Sequence, residues 1–298
     1  MQVSANGVRI EVDIHGPDDG EPLLMIMGLG MQLIAWPDGL VDELVARGFR
    51  VIRFDNRDIG LSQPFDHLGL PNIPLAALLH TFHLPVKAPY QLADLARDAV
   101  GVLDALGIGR AHVCGASMGG MVAQHLGFSH GQRLRSLTLM MTTSGHRGLP
   151  KESLKVRRAL LSRPRPGRTP EEKLDNILDH YVGLYGVIGS PGYPAEPRQL
   201  RERIAHGVKR AFRPQAVARQ LVAIAADAHR AERLARIEAP TLILHGQDDP
   251  LIPVAAAHDL AQRIPDNQLE IIPGWGHDLP EPLWPRLATA IAAVAQRA

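Results

Sequence analysis

A short buried run, a glycine-flanked turn and a helix, in that order around one serine, constrain this chain more than any other feature. Ala111-His112-Val113-Cys114 reads as a strand, Gly115-Ala116-Ser117-Met118-Gly119 as the turn, and Gly120 to Leu126 as the opening of a helix. A G-x-S-x-G string in that setting is the arrangement of a nucleophile elbow. The turn is tight enough to strain the serine backbone, the glycines leave room for it, and the hydroxyl stands clear of the sheet. The N–H of Met118 points into the same space. An ordinary strand-to-helix loop is the competing reading, since short glycine-serine strings arise by chance; the flanking strand and helix favour the elbow.

The rest of the chain has a matching rhythm. Residues 8–14 alternate apolar and polar side chains, as a half-exposed strand does. Residues 22–27, 50–54, 134–141, 241–245 and 269–272 are short apolar runs. Between and after them, residues 36–48, 90–106 and 283–295 have helical spacing. Buried strands alternating with helices predict an α/β fold with a mostly parallel, doubly wound sheet. Chemistry in such sheets gathers at the C-terminal strand ends, where Gly28, Asp55, Ser117, Asp249 and His277 would lie.

Residues 145–236 break the rhythm, with helical segments punctuated at 162–167 and 189–194 by Pro and Gly and with no good strand. They are expected to form a helical cap inserted over the strand ends, leaving 1–144 and 237–298 as the core. A smaller insertion rich in Pro and Leu, residues 67–89, would line the same entrance. The cap segment carries 19 basic and 9 acidic residues, against 13 and 22 elsewhere. Solvated helix faces and an interface between oppositely charged parts account for that better than a dedicated anion surface.

Composition excludes several function classes. A net charge of +1 gives no footprint for nucleic acid. The apolar runs are too short to span a bilayer. The first ten residues lack a basic-then-apolar leader, and Cys114, the single cysteine, forms no internal disulfide. A soluble, cytoplasmic chain is expected. No G-x-G-x-x-G or phosphate loop is present and no His-Glu-x-x-His, so neither cofactor nor metal is expected. His80 and His83 share helical spacing without a third ligand and read as solvated.

A serine hydroxyl needs a general base, usually a histidine oriented by a carboxylate. On this kind of sheet the chain order is Ser, then Asp or Glu, then His. After the run at 241–245 comes Gly246-Gln247-Asp248-Asp249-Pro250, and after that at 269–272 comes Pro273-Gly274-Trp275-Gly276-His277. Among 14 histidines, His277 stands out by following a Gly-x-Gly turn at a strand end. Ser117, Asp249 and His277 are therefore the candidate catalytic residues, with the Met118 N–H as one oxyanion donor.

These pieces, together with Met27-Gly28-Leu29-Gly30 and the Asp55-Asn56-Arg57-Asp58-Ile59-Gly60-Leu61-Ser62 segment, resemble the α/β-hydrolase superfamily over almost the whole chain outside the cap. Arg57-Asp58-Ile59-Gly60 resembles the aclacinomycin methylesterase group, where many relatives carry Arg-Gly instead of Arg-Asp. The resemblance implies that Asp249 before Pro250 is the triad acid and that Asp248 is a solvated or turn-forming neighbour. It also implies that Leu29 supplies the second oxyanion N–H. Met27 stands where relatives have the histidine of His-Gly-x, which removes a side chain that can brace that loop. Gly28 and Met31 are expected against the substrate, and Met27, Leu29, Met31 and Met118 form either an apolar, adaptable wall or part of the core. The implied activity is cofactor-free hydrolysis of small-molecule carboxylic esters through an acyl-enzyme. Lactone, thioester or carbon–carbon hydrolysis and peracid formation use the same triad, and a non-catalytic receptor uses the same fold.

Overall fold

One sheet of eight strands organises the computed structural model, which describes residues 1–298. The strands are β1 (Gln2–Ala5), β2 (Val8–His15), β3 (Glu21–Ile26), β4 (Phe49–Phe54), β5 (Ala111–Ala116), β6 (Leu134–Met140), β7 (Thr241–Gly246) and β8 (Asn267–Ile272). Their spatial order is β1-β2-β4-β3-β5-β6-β7-β8. β1 and β2 are antiparallel to their neighbours, and every pair from β4 to β8 is parallel. The α/β, mostly parallel sheet expected from the alternating runs is the one observed.

Ten helices accompany it: α1 (Asp38–Val45), α2 (Ile73–Thr81), α3 (Leu92–Ala105), α4 (Met118–Ser129), α5 (Leu154–Leu161), α6 (Pro170–Ile188), α7 (Pro197–Arg210), α8 (Pro214–Ala226), α9 (Ala255–Arg263) and α10 (Trp284–Ala295). Successive strand residues point to opposite faces, so the sheet separates two cores. Leu24, Ile26, Ile52 and Val113 pack with α3, α4 and α9 on one side. Leu23, Met25, Val51 and Cys114 pack with α1 and α10 on the other. Cys114 is fully buried, and burial pushes its thiol well above the usual range, so it is an inert apolar side chain.

Two local features differ from the sequence expectation. β1 has only Val3 and Ala5 as apolar residues and shows no convincing run. Asn6-Gly7, both at positive φ, closes a two-residue hairpin that pairs it with β2. The helix expected over 36–48 is shorter, because Pro37 sets its start while Trp36 sits fully buried before it. Four helices, α5 to α8, and no strand lie between β6 and β7. Their starts are defined by local chemistry: Ser153, Thr169 and Glu196 accept first-turn N–H groups, and Pro occupies the first turn of α6, α7 and α8.

Candidate active site

The turn between β5 and α4 places Ser117 at φ +53, ψ −119, a conformation that L-residues avoid. Its flanking glycines are steric requirements. A Cβ on Gly115 would stand 2.3 Å from the Gly119 carbonyl oxygen, and one on Gly119 would stand 2.0 Å from that of Ile26. The serine backbone is tied on both sides: its N–H donates to Met140 O at 3.0 Å, and its carbonyl accepts from Thr142 Oγ1 at 2.7 Å. The side chain keeps some solvent access.

The loops after β7 and β8 bring Asp249 and His277 to that serine. His277 Nε2 lies 3.0 Å from Ser117 Oγ, and His277 Nδ1 lies 2.7 Å from Asp249 Oδ2. A carboxylate only accepts, so Nδ1 carries the ring proton and the Nε2 lone pair faces the hydroxyl. The other Asp249 oxygen accepts from the N–H groups of Leu251 and Ile252 at 2.9 and 2.8 Å. Burial works to raise the Asp249 pKa, but attraction to and hydrogen bonding with His277 outweigh it, and the group stays below the usual carboxylate range. His245 lies 3.7 Å from the same carboxylate and donates to Ile252 O through Nε2; burial lowers its pKa against the attraction of Asp249. Asp248 turns to solvent and accepts the Gly274 N–H at 2.8 Å, bracing the turn that leads to His277.

The loop after β3 closes the other side. A Cβ on Gly28 would be 3.2 Å from Ser117 Cβ, so this loop abuts the serine. The Leu29 N–H makes no hydrogen bond within the protein. The Met118 N–H opens α4 and belongs to the unpaired donors of a helix start. Leu29 and Met31 are half-buried beside the two cores, one on each face. Of the two alternatives for Met27 and Met118 the structure favours the core: their side chains are buried in the clusters on opposite faces of the sheet.

Several residues whose roles the sequence did not show hold this arrangement. The missing histidine at position 27 is compensated from outside the loop, since buried Asn56 donates to Met27 O at 3.0 Å. Asp55 accepts from Leu33 N–H and Leu61 N–H and pairs with Arg210 of α7 at 2.7 Å; burial raises its pKa against those partners. Asp58, at φ +73 in the backbone region that favours glycine, pairs with Arg219 of α8 at 2.6 Å, both side chains fully buried. A carboxylate at a glycine position is the one sequence signal that could have pointed to such a partner. Arg210 and Arg219, on helices between β6 and β7, thus reach two aspartates in the loop after β4. At the histidine loop, Ile188 O accepts the His277 N–H at 2.8 Å, and Ser190 bridges Gly276 N–H and Asp278. His80 is exposed yet binds Ala225 O at 3.0 Å, and His83 is exposed at positive φ. No cluster of three or more His, Cys, Asp or Glu residues is placed to hold a metal. No helix is long and apolar enough to cross a membrane.

A parallel sheet with a serine, histidine and aspartate converging from three strand ends defines the class of hydrolases built on an α/β sheet. The profile described as alpha/beta hydrolase fold matches residues 21–281, and the chain belongs to that family, as an enzyme of carboxylic ester hydrolysis. It is 31% identical to rhodomycin D methylesterase DauP of Streptomyces sp. (strain C5), over 94% of this chain and 92% of that protein. It is 32% identical to rhodomycin D methylesterase DnrP of Streptomyces peucetius, over 91% and 90%. Among solved structures, a mutant of the meta-cleavage product hydrolase CumD from Pseudomonas fluorescens IP01, complexed with acetates, aligns with a TM-score of 0.75 at 18% identity. That alignment covers 100% of this chain and 97% of the other, a likeness of fold alone.

Proposed function

We propose that the enzyme cleaves small to medium, largely apolar carboxylic esters through a Ser117–His277–Asp249 triad and an acyl-enzyme. Ser117 Oγ attacks the ester carbonyl carbon while His277 Nε2 takes its proton, and Asp249 holds the resulting imidazolium. The N–H groups of Leu29 and Met118 stabilise the tetrahedral oxyanion. Collapse expels the alkoxide, which leaves as the alcohol with the proton from His277. Water, deprotonated by the same nitrogen, then attacks the acyl-enzyme and releases the acid and the free serine. The observation that carries this reading is the unbroken relay of 3.0 and 2.7 Å from Ser117 through His277 to Asp249, beside an unspent Leu29 N–H.

Residues 145–236 act as a cap on a core formed by 1–144 and 237–298. Support comes from the contacts of α7, α8 and the segment after α6 with the loops that follow β3, β4 and β8. Gly28 and Met31 flank the acyl group, and the methylesterase relatives make methyl esters a natural addition to the substrate range. A single, buried thiol is in keeping with a cytoplasmic enzyme.

The test is a series of p-nitrophenyl esters graded by acyl length, with methyl esters assayed beside them. Efficiency should rise over the first few carbons, at about 0.8 kcal/mol per buried methylene, and then fall as the cap is met. Ser117→Ala should remain folded and lose about 10³-fold or more in kcat. A folded variant within tenfold of the wild type, or a wild type that binds apolar ligands with neither burst nor turnover, would overturn the proposal.

A further inference from the structure

Gln220 of α8 is fully buried and takes no part in the chemistry above. Its Oε1 accepts the N–H of Gly30 at 2.9 Å, while its Nε2 meets no partner. A backbone N–H only donates, so this contact fixes which way the amide faces. Gly30 sits at φ +69 and is gripped a second time from the same helix face: a Cβ there would stand 2.8 Å from Val217 Cγ2, three residues before Gln220. Gly30 directly follows Leu29, whose N–H is left free beside Ser117.

The helix that does the gripping is itself immobilised next door. The fully buried Arg219 donates to both oxygens of Asp58 at 2.6 and 3.0 Å, to Asp66 at 2.9 Å and to Gly69 O at 2.9 Å. Fork-shaped pairing of this kind fixes direction as well as distance. A rigid arginine anchor and an adjacent amide acceptor therefore transmit the seating of α8 to the loop after β3.

We infer that Gln220 is a positioning residue that sets the Gly28-Leu29-Gly30-Met31 turn so that the Leu29 N–H faces the oxyanion formed at Ser117. The inference rests on the esterase reading of the site. Without the acceptor, the Gly30 N–H loses its partner in a water-poor place and the turn relaxes toward another one. Oxyanion stabilisation depends on donors being held before the charge forms, so a small drift of the Leu29 N–H is felt in the transition state more than in substrate binding.

Gln220→Met keeps length and volume and removes the acceptor. We expect kcat to fall about tenfold or more with KM within about twofold. Affinity for an aryl trifluoromethyl ketone, whose carbonyl adds Ser117 Oγ to form an oxyanion as His277 takes the hydroxyl proton, should fall in parallel with kcat. A kcat within twofold of the wild type, or a raised KM at unchanged kcat, overturns the inference. Amide hydrogen exchange on the wild type gives a test free of any folding defect. Gly30 should be protected and Leu29 should exchange faster, becoming protected when the ketone is bound; equal exchange of the two in the free enzyme overturns the inference. Wild type and Ser117→Ala run alongside separate the two levels. A wild type inactive on every ester removes the esterase reading and this inference with it. Active wild type, inactive Ser117→Ala and unimpaired Gln220→Met remove this inference alone.

Discussion

Backbone strain at Ser117 costs about 1–3 kcal/mol, and it persists because four hydrogen bonds and two obligatory glycines over-determine the turn. The neighbouring aspartates after β7 show how much one position matters. Asp249 is buried against His277, whereas Asp248 faces water and holds Gly274. Asp249→Asn should lose about 10³- to 10⁴-fold in kcat, because an amide N–H facing Nδ1 forces the wrong imidazole tautomer. Asp248→Asn keeps an acceptor for Gly274 N–H and should stay within about threefold, since a surface substitution of this kind moves little free energy. Steady-state kinetics on both variants check the ranking; comparable losses would reverse the assignment. Ser117, Asp249 and His277 were legible because each follows its own strand at a turn with recognisable residues. Asn56 and Gln220 were not, because their partners, Met27 and Gly30, lie 29 and 190 residues away in sequence and no local pattern announces such contacts.

Among the elements, α4 is unusual in being buried on nearly every side, from Met118 to Phe128. Its glycines are what allow that. Gly119 rests on the end of β3, Gly120 on Thr142, and Gly127 on Ile237. Gly119→Ala should therefore destabilise the protein by about 1–3 kcal/mol or more through overpacking against the Ile26 carbonyl. Gly109→Ala, with open space around it and no positive φ, should change stability by less than about 0.5 kcal/mol. Urea denaturation midpoints measure both, and equal midpoints would contradict the packing described. The central strands β5 and β7, buried at every position, were readable as continuous apolar runs. β1 was not, since an edge strand of four residues with two polar ones carries too little signal. Helix ends were less legible than helix faces, as the Pro37 start of α1 illustrates, because caps act through single residues.

For the molecule as a whole, buried histidines make stability depend on pH. Burial lowers the His112 pKa from 6.5 to about 4, outweighing the attraction of Glu21, and its Nδ1 is 2.8 Å from Ser136 Oγ. The unfolded chain binds this proton below 6.5 while the folded one resists it, so stability rises with pH across that window. His112 stability is complete above 6.5 and is lost as pH falls toward 4. At 1.36 kcal/mol per unit the loss amounts to about 3 kcal/mol. His245, whose pKa is also lowered by burial, works in the same direction. Urea midpoints should fall between about pH 7 and 4.5, and His112→Gln should flatten that fall; an unchanged slope would assign the effect elsewhere. The charges that the composition showed to be unevenly divided meet where Arg210 and Arg219 reach Asp55 and Asp58. The chain leaves the sheet at β6 and returns at β7, which are hydrogen-bonded neighbours, with four helices in the excursion. Both ends of that detour are pinned at fixed places by the sheet, and doubling the length of a flexible loop adds only about 0.6 kcal/mol of closure entropy. The pairing of β6 with β7 is therefore little affected by how long the detour is. A lineage built this way is free to rewrite that excursion wherever the contacts of Ile188, Arg210, Arg219 and Gln220 with the loops around Ser117 and His277 are kept.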